Sequence, residues 1–206
     1  MKSFIEHIKN TTKTHGIKLS LVNQPSVIIN RFPCSGYFLG GQAPELAVAI
    51  GKDEKEWNEI LVHEFSHMNQ WIENDKVWRN LDVPEKKTTQ LELFDLWLGN
   101  DIELNKEQLR SCISSIIDLE LDCEKRAIKM IKEFKLDINI DQYIKKANSY
   151  LLFYHVVKNK RCWSKPGKAP YTIAKIVDSM PNKFDLDYAN PPTQLLGIIE
   201  KNCLRF

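Results

Sequence analysis

The chain has no CxxC pair, no internal repeat, no low-complexity tract and no long uncharged apolar run. A bilayer-spanning helix needs about 18 or more such residues, so no membrane span is expected. The five cysteines, Cys34, Cys112, Cys123, Cys162 and Cys203, are odd in number and widely spaced. That pattern argues against a secreted disulfide framework and points to a reducing, cytoplasmic setting. Met1 to His7 contains no apolar core of a secretory signal, so none is expected. Charge of one sign is also missing: 29 basic residues stand against 27 acidic ones, for a formal net charge of +2. The balance gives no electrostatic case for nucleic acid or a membrane surface as partner. What remains is an ordinary soluble composition, in 206 residues long enough to bury a real core.

Against this plain background one stretch stands out, Leu61-Val62-His63-Glu64-Phe65-Ser66-His67-Met68. It contains H-E-x-x-H. Residues four apart on a helix stack on one face about 5–6 Å apart. Zinc binds an imidazole nitrogen at about 2.0–2.1 Å, so His63 and His67 can share one ion. Glu64, between them, can serve as general base to a water at that ion. Asp53 and Glu56 form a D-x-x-E capping signal, which starts the helix near Glu54. At about 100° per residue, Trp57, Ile60, Leu61, Phe65, Met68, Trp71 and Ile72 share one arc, with Asn58, Glu59, Ser66, Asn69 and Gln70 opposite. The two histidines sit at the border of the apolar arc, where a cleft-lining helix would place ligands. Two surface histidines beside a half-buried glutamate are the plainer alternative.

Before this helix the pattern is short and mixed. A helix is expected over 3–14, a half-buried strand over 17–22, a second strand at Val27–Ile29 and a third over Leu46–Ile50. Arg31 to Pro44 carries Pro33, Gly36, Gly40, Gly41 and Pro44 and reads as turn and loop. After it, helical spacing recurs over about 85–98, opened by Pro84, and over 106–134, 139–160, 171–180 and 192–204. No linker is evident. One α+β domain over 1–206 is the economical reading, with a sheet-containing part at 1–52 and a mostly helical part at 53–206.

The 106–134 segment supplies the second decisive observation. Leu109, Ile113, Ile116, Ile117, Ala127, Ile131 and Phe134 form one apolar stripe, and Glu120 and Glu124 fall inside it. A carboxylate on an apolar face is costly unless it is paired or binds a metal. Glu120 as third metal ligand, with Glu124 hydrogen-bonded to a ligand histidine, gives both a shared reason. The reverse assignment of the two glutamates stays open, as does their pairing with Lys or Arg of another helix. Glu73, six residues past His67, points away from the other ligands by helical periodicity.

Together, H-E-x-x-H and a downstream glutamate helix resemble the zincin metallopeptidases, specifically the glutamate-zincin branch. The branch commonly has E-x-x-x-D on its second helix; here the matching stretch is Glu120-Leu121-Asp122-Cys123-Glu124, with Glu in place of the usual Asp. The segment is also similar to ones in small uncharacterised bacterial and phage zincin-like proteins. The resemblance covers two motifs. It implies a predominantly helical fold with a small N-terminal sheet beside the H-E-x-x-H helix. It implies one Zn2+ per chain, held by His63, His67 and Glu120, and hydrolysis of peptide bonds in a peptide or protein substrate with Glu64 as general base. It further implies a sheet edge that takes substrate backbone as an added strand. Leu46, Ala47 and Val48 are the candidates for that edge, and Tyr154 and His155 for an oxyanion donor. The alternative is a catalytically idle binding or regulatory module on the same fold, with a structural zinc or no metal.

Overall fold

The computed structural model describes residues 1–29 and 32–204. It is an α+β protein, mostly helical, with three small sheets. No described helix is long and apolar enough to cross a membrane. The chain folds into two compact units: Met1–Asp75 with Cys123–Ile138, and Lys76–Asp122 with Asn139–Phe206. The H-E-x-x-H helix falls in the first unit, with the three-stranded sheet.

In the first unit, helix α1 (Lys2–Thr14) leads into strand β1 (Lys18–Val22), as the alternation predicts. Strands β2 (Val27–Ile29) and β3 (Phe32–Cys34) pair antiparallel, and β4 (Gly36–Leu39) and β5 (Glu45–Ala49) follow. The expected loop over 31–44 is therefore corrected: it carries two strands, although Arg31 lies outside the described residues. Pro33 and Gly36 mask the strand signal, but both suit positions where a ladder ends or a neighbour approaches closely.

The three-stranded sheet has the order β1-β5-β4, with β5 parallel to β1 and antiparallel to β4. This corrects the assignment of Leu46, Ala47 and Val48 to an edge. Tyr37 pairs with Ala47 on one side and Ser20 on the other, so β5 is the middle strand and has no open backbone to lend. Its continuous apolar run already suits a strand covered on both faces. The terminal strand next to helix α2 (Glu54–Ile72) is β4.

Asp53 caps α2 by accepting from the Lys55 backbone N–H, while Glu56 turns to Lys52 at 2.8 Å, so the cap is one-sided. The helix is buried almost all round. Leu61, Val62, Phe65 and Met68 have no exposure, yet neither do Ser66 and Gln70. Those two belong to the face expected to be solvated. The Ser66 hydroxyl satisfies itself on the Val62 carbonyl at 2.7 Å. At the end of α2, Arg126 donates to Glu73 and Asp75, each at 2.6 Å, which accounts for Glu73 without a metal.

In the second unit, α3 (Lys76–Arg79) precedes a two-stranded ribbon of β6 (Asp82–Val83) and β7 (Thr88–Thr89). Pro84 opens only a 3-10 turn. Helix α4 (Gln90–Leu98) starts later, where Thr89 and Glu92 form a reciprocal capping box. Helix α5 (Lys106–Glu133) is continuous and contributes to both units. Helix α6 (Ile140–Lys160) is the core of the second unit, with every residue from Leu151 to Val157 buried. Helices α7 (Ala174–Ser179) and α8 (Thr193–Cys203) complete it. Asn148 on α6 donates to the carbonyls of Pro181 and Lys183 and accepts from the Tyr188 hydroxyl at 2.5 Å, fastening the segment before α8.

Candidate metal centre

His63, Glu64 and His67 lie in the middle of α2, with His67 buried and the other two half-buried. The two imidazoles stand perpendicular, with centroids 4.7 Å apart. Each is oriented from behind. His67 Nδ1 lies 2.8 Å from Gln70 Oε1, and His63 Nδ1 lies 3.1 Å from Glu124 Oε1. Both oxygens are acceptors, so both rings carry their proton on Nδ1 in the neutral state and present Nε2 on the opposite side. This is how metal-ligating histidines are usually held.

Cys123 is the third donor of the group. Its thiol donates to the His63 carbonyl at 3.3 Å, and its sulfur lies 3.6 Å from His63 Nδ1. Ligand atoms of His63, His67 and Cys123 all fall within 4.8 Å of one another, so these residues could hold a metal ion. The donor set fits one on a further ground. Glu124 is 6 % exposed and its Oε2 is buried with no hydrogen-bond partner, an expense that a cationic centre nearby would offset. Burial alone would pull the His63 pKa down, but Cys123 and Glu124 together raise it well above the ordinary histidine value.

Glu64 is half-buried and faces the start of β4, where Gly36 leaves room for it. Cys34 lies close by: burial, then the charge of Glu64, pushes its thiol pKa up.

The remaining expected residues separate. Glu124 meets His63 as expected. Glu120 is buried one helical turn before it on α5, hence on the same helix face, and belongs to the second unit. There its charge reaches Tyr154, whose phenol is pushed well above its ordinary pKa by burial first, then by Tyr150 and Glu120. The Tyr154 hydroxyl donates to that of Tyr150 at 3.1 Å. His155 needs a correction. Its Nε2 is 2.8 Å from the Tyr188 carbonyl, so the ring is spent on the loop held by Asn148 and is not an oxyanion donor.

Sequence reasoning missed Gln70, Cys123 and Gly36. Gln70 sits three residues after His67, a spacing that already puts an amide within reach of a ring nitrogen. Cys123 lies inside the E-L-D-C-E stretch and gave no signal apart from its neighbours. No protein-family model, no curated protein and no solved structure matches the chain.

Proposed function

We propose that the protein is a zinc-dependent peptidase. The observation that carries the reading is the pair of acceptors behind the histidines, Gln70 on His67 and Glu124 on His63, which makes Nδ1 the protonated nitrogen of each neutral ring and Nε2 the donor each can offer an ion. In this reading His63, His67 and a donor of α5 hold the ion. The third donor is one of the α5 residues of the same unit, Cys123 or Glu124. Bound zinc supplies Lewis acidity, lowering the pKa of water toward about 7 and polarising a carbonyl.

The chain's own residues do the rest. Glu64 accepts a proton from the attacking water and returns it to the leaving amine, a contribution on the order of a hundredfold to ten-thousandfold. The terminal strand β4 offers backbone to an extended peptide in place of β5. The unpaired thiols fit a cytoplasmic location, and the balanced charge fits a peptide partner better than nucleic acid.

A second reading has its own support. Cys123 adds a soft sulfur donor to the two histidines, as in structural zinc sites, and a catalytically idle metal-stabilised module would need no base. The variant Glu64→Gln separates the two. The peptidase reading expects it to keep about one zinc per chain while losing cleavage of casein or a peptide library. Cleavage at the parent's rate removes Glu64 as base.

A further inference from the structure

In the first unit a glycine lets the sheet come close to helix α2. A Cβ placed on Gly36 would lie 2.7 Å from Ile60 Cγ2 and 3.1 Å from both Glu64 Cγ and the Ala47 carbonyl oxygen. Further along the strand, Gly40 repeats the arrangement against the Trp71 indole at 2.7 Å, and Phe38 packs on the same indole with centroids 5.7 Å apart. Strand β4 therefore lies directly along the half of α2 that carries Glu64, and no side chain separates them at the glutamate. Only glycine fits such an approach.

We propose that Gly36 is a positioning residue for Glu64: by lacking a side chain it lets β4 press on the glutamate stem and fixes where the carboxylate stands. This rests on the reading of Glu64 as general base. The stem has three rotatable bonds, and a base misplaced by about 1 Å can lose on the order of a hundredfold in rate. Ile60 bounds the same space from the other side of the helix turn, so the glutamate is held between a residue that fills and a residue that is absent. A plain structural role for Gly36 predicts something different. It would act through the contacts with Ile60 and the Ala47 carbonyl, lowering stability and leaving the Glu64 carboxylate where it stands.

The test uses that difference. Gly36→Ala is compared with the double variant Gly36→Ala/Ile60→Ala and with Ile60→Ala alone, all in the full chain. Adding the Gly36 change to the Ile60→Ala background keeps the 3.1 Å approach to the Ala47 carbonyl, so a small drop in melting temperature is expected, with zinc content unchanged. It is expected to lower kcat on the order of tenfold to a hundredfold with KM little altered. A second readout needs neither metal nor turnover: the 13C resonance of the Glu64 carboxyl in zinc-free protein, assigned by its loss in Glu64→Gln, is expected to move in the double variant. An unmoved resonance overturns the proposal, as does an unchanged kcat in the Ile60→Ala background. Undiminished cleavage by Glu64→Gln would instead remove the base role itself, leaving the resonance to decide where Gly36 holds the side chain.

Discussion

His67 and Gln70 meet within one helix, with imidazole Nδ1 2.8 Å from amide Oε1 and Gln70 wholly buried. The amide fixes both the tautomer and the tilt of the ring. Gln70→Ala should therefore weaken zinc binding roughly tenfold to a hundredfold. Gln70→Glu, which keeps an acceptor, should retain most of it. Competition with a chromophoric chelator measures both. Equal affinity in Gln70→Ala and the parent would mean that packing alone orients His67.

The histidine pair, the glutamate between them and the buried Glu124 were legible because each breaks or exploits a period. An i, i+4 pair and a carboxylate on an apolar stripe are visible in one dimension. The sheet order was not. Leu46 to Ala49 reads as a strand, but whether a strand is central or terminal depends on its neighbours, and the partner on one side was hidden in a Gly- and Pro-bearing stretch taken for loop. Burial of Ser66 and Gln70 was hidden for a related reason. Periodicity divides a helix into an apolar and a polar face, but polar groups satisfied inside a fold leave the same pattern as polar groups in water. His155 shows the limit from the other side: the sequence marks an inward histidine without saying whether its partner is substrate or backbone.

The third ligand can be assigned by substitution along α5. Cys123→Ser should cost the most affinity where sulfur binds the ion, and Glu124→Gln where a carboxylate does, through its hold on His63 as well. Cobalt-substituted protein gives an independent reading. A carboxylate third ligand predicts no thiolate-to-cobalt charge-transfer band in the parent. If one is present and disappears in Cys123→Ser, the ion is bound through sulfur and the idle-module reading gains.

Asn148 should matter more than its distance from the histidines in sequence suggests. It is fully buried and holds the Pro181 and Lys183 carbonyls at 2.8 and 3.0 Å while accepting from Tyr188. Truncation leaves buried groups without partners, so Asn148→Ala should lose on the order of 3 kcal/mol. Tyr188→Phe removes a single bond and should lose about 1 kcal/mol. Urea unfolding followed by tryptophan fluorescence compares the two. A smaller loss in Asn148→Ala than in Tyr188→Phe would contradict the assignment of the segment's hold to Asn148.

Acid sensitivity should trace in part to His155. Burial lowers its pKa below the ordinary value and the nearby Lys158 charge adds to this, while the Tyr188 carbonyl pulls the other way without reversing it. In the unfolded chain the same imidazole protonates near about 6.5. Below that value the unfolded state binds more protons than the folded one, so stability falls as the pH drops. The contribution is present in full above the unfolded pKa and is lost as the pH falls through the folded one. The urea midpoint of metal-free protein should therefore decline between about pH 7 and pH 5. His155→Gln keeps a donor for the Tyr188 carbonyl but cannot take up a proton, so its midpoint should decline less over the same interval. Parallel declines in the two proteins would assign the loss to other titrating groups and leave His155 a purely structural donor.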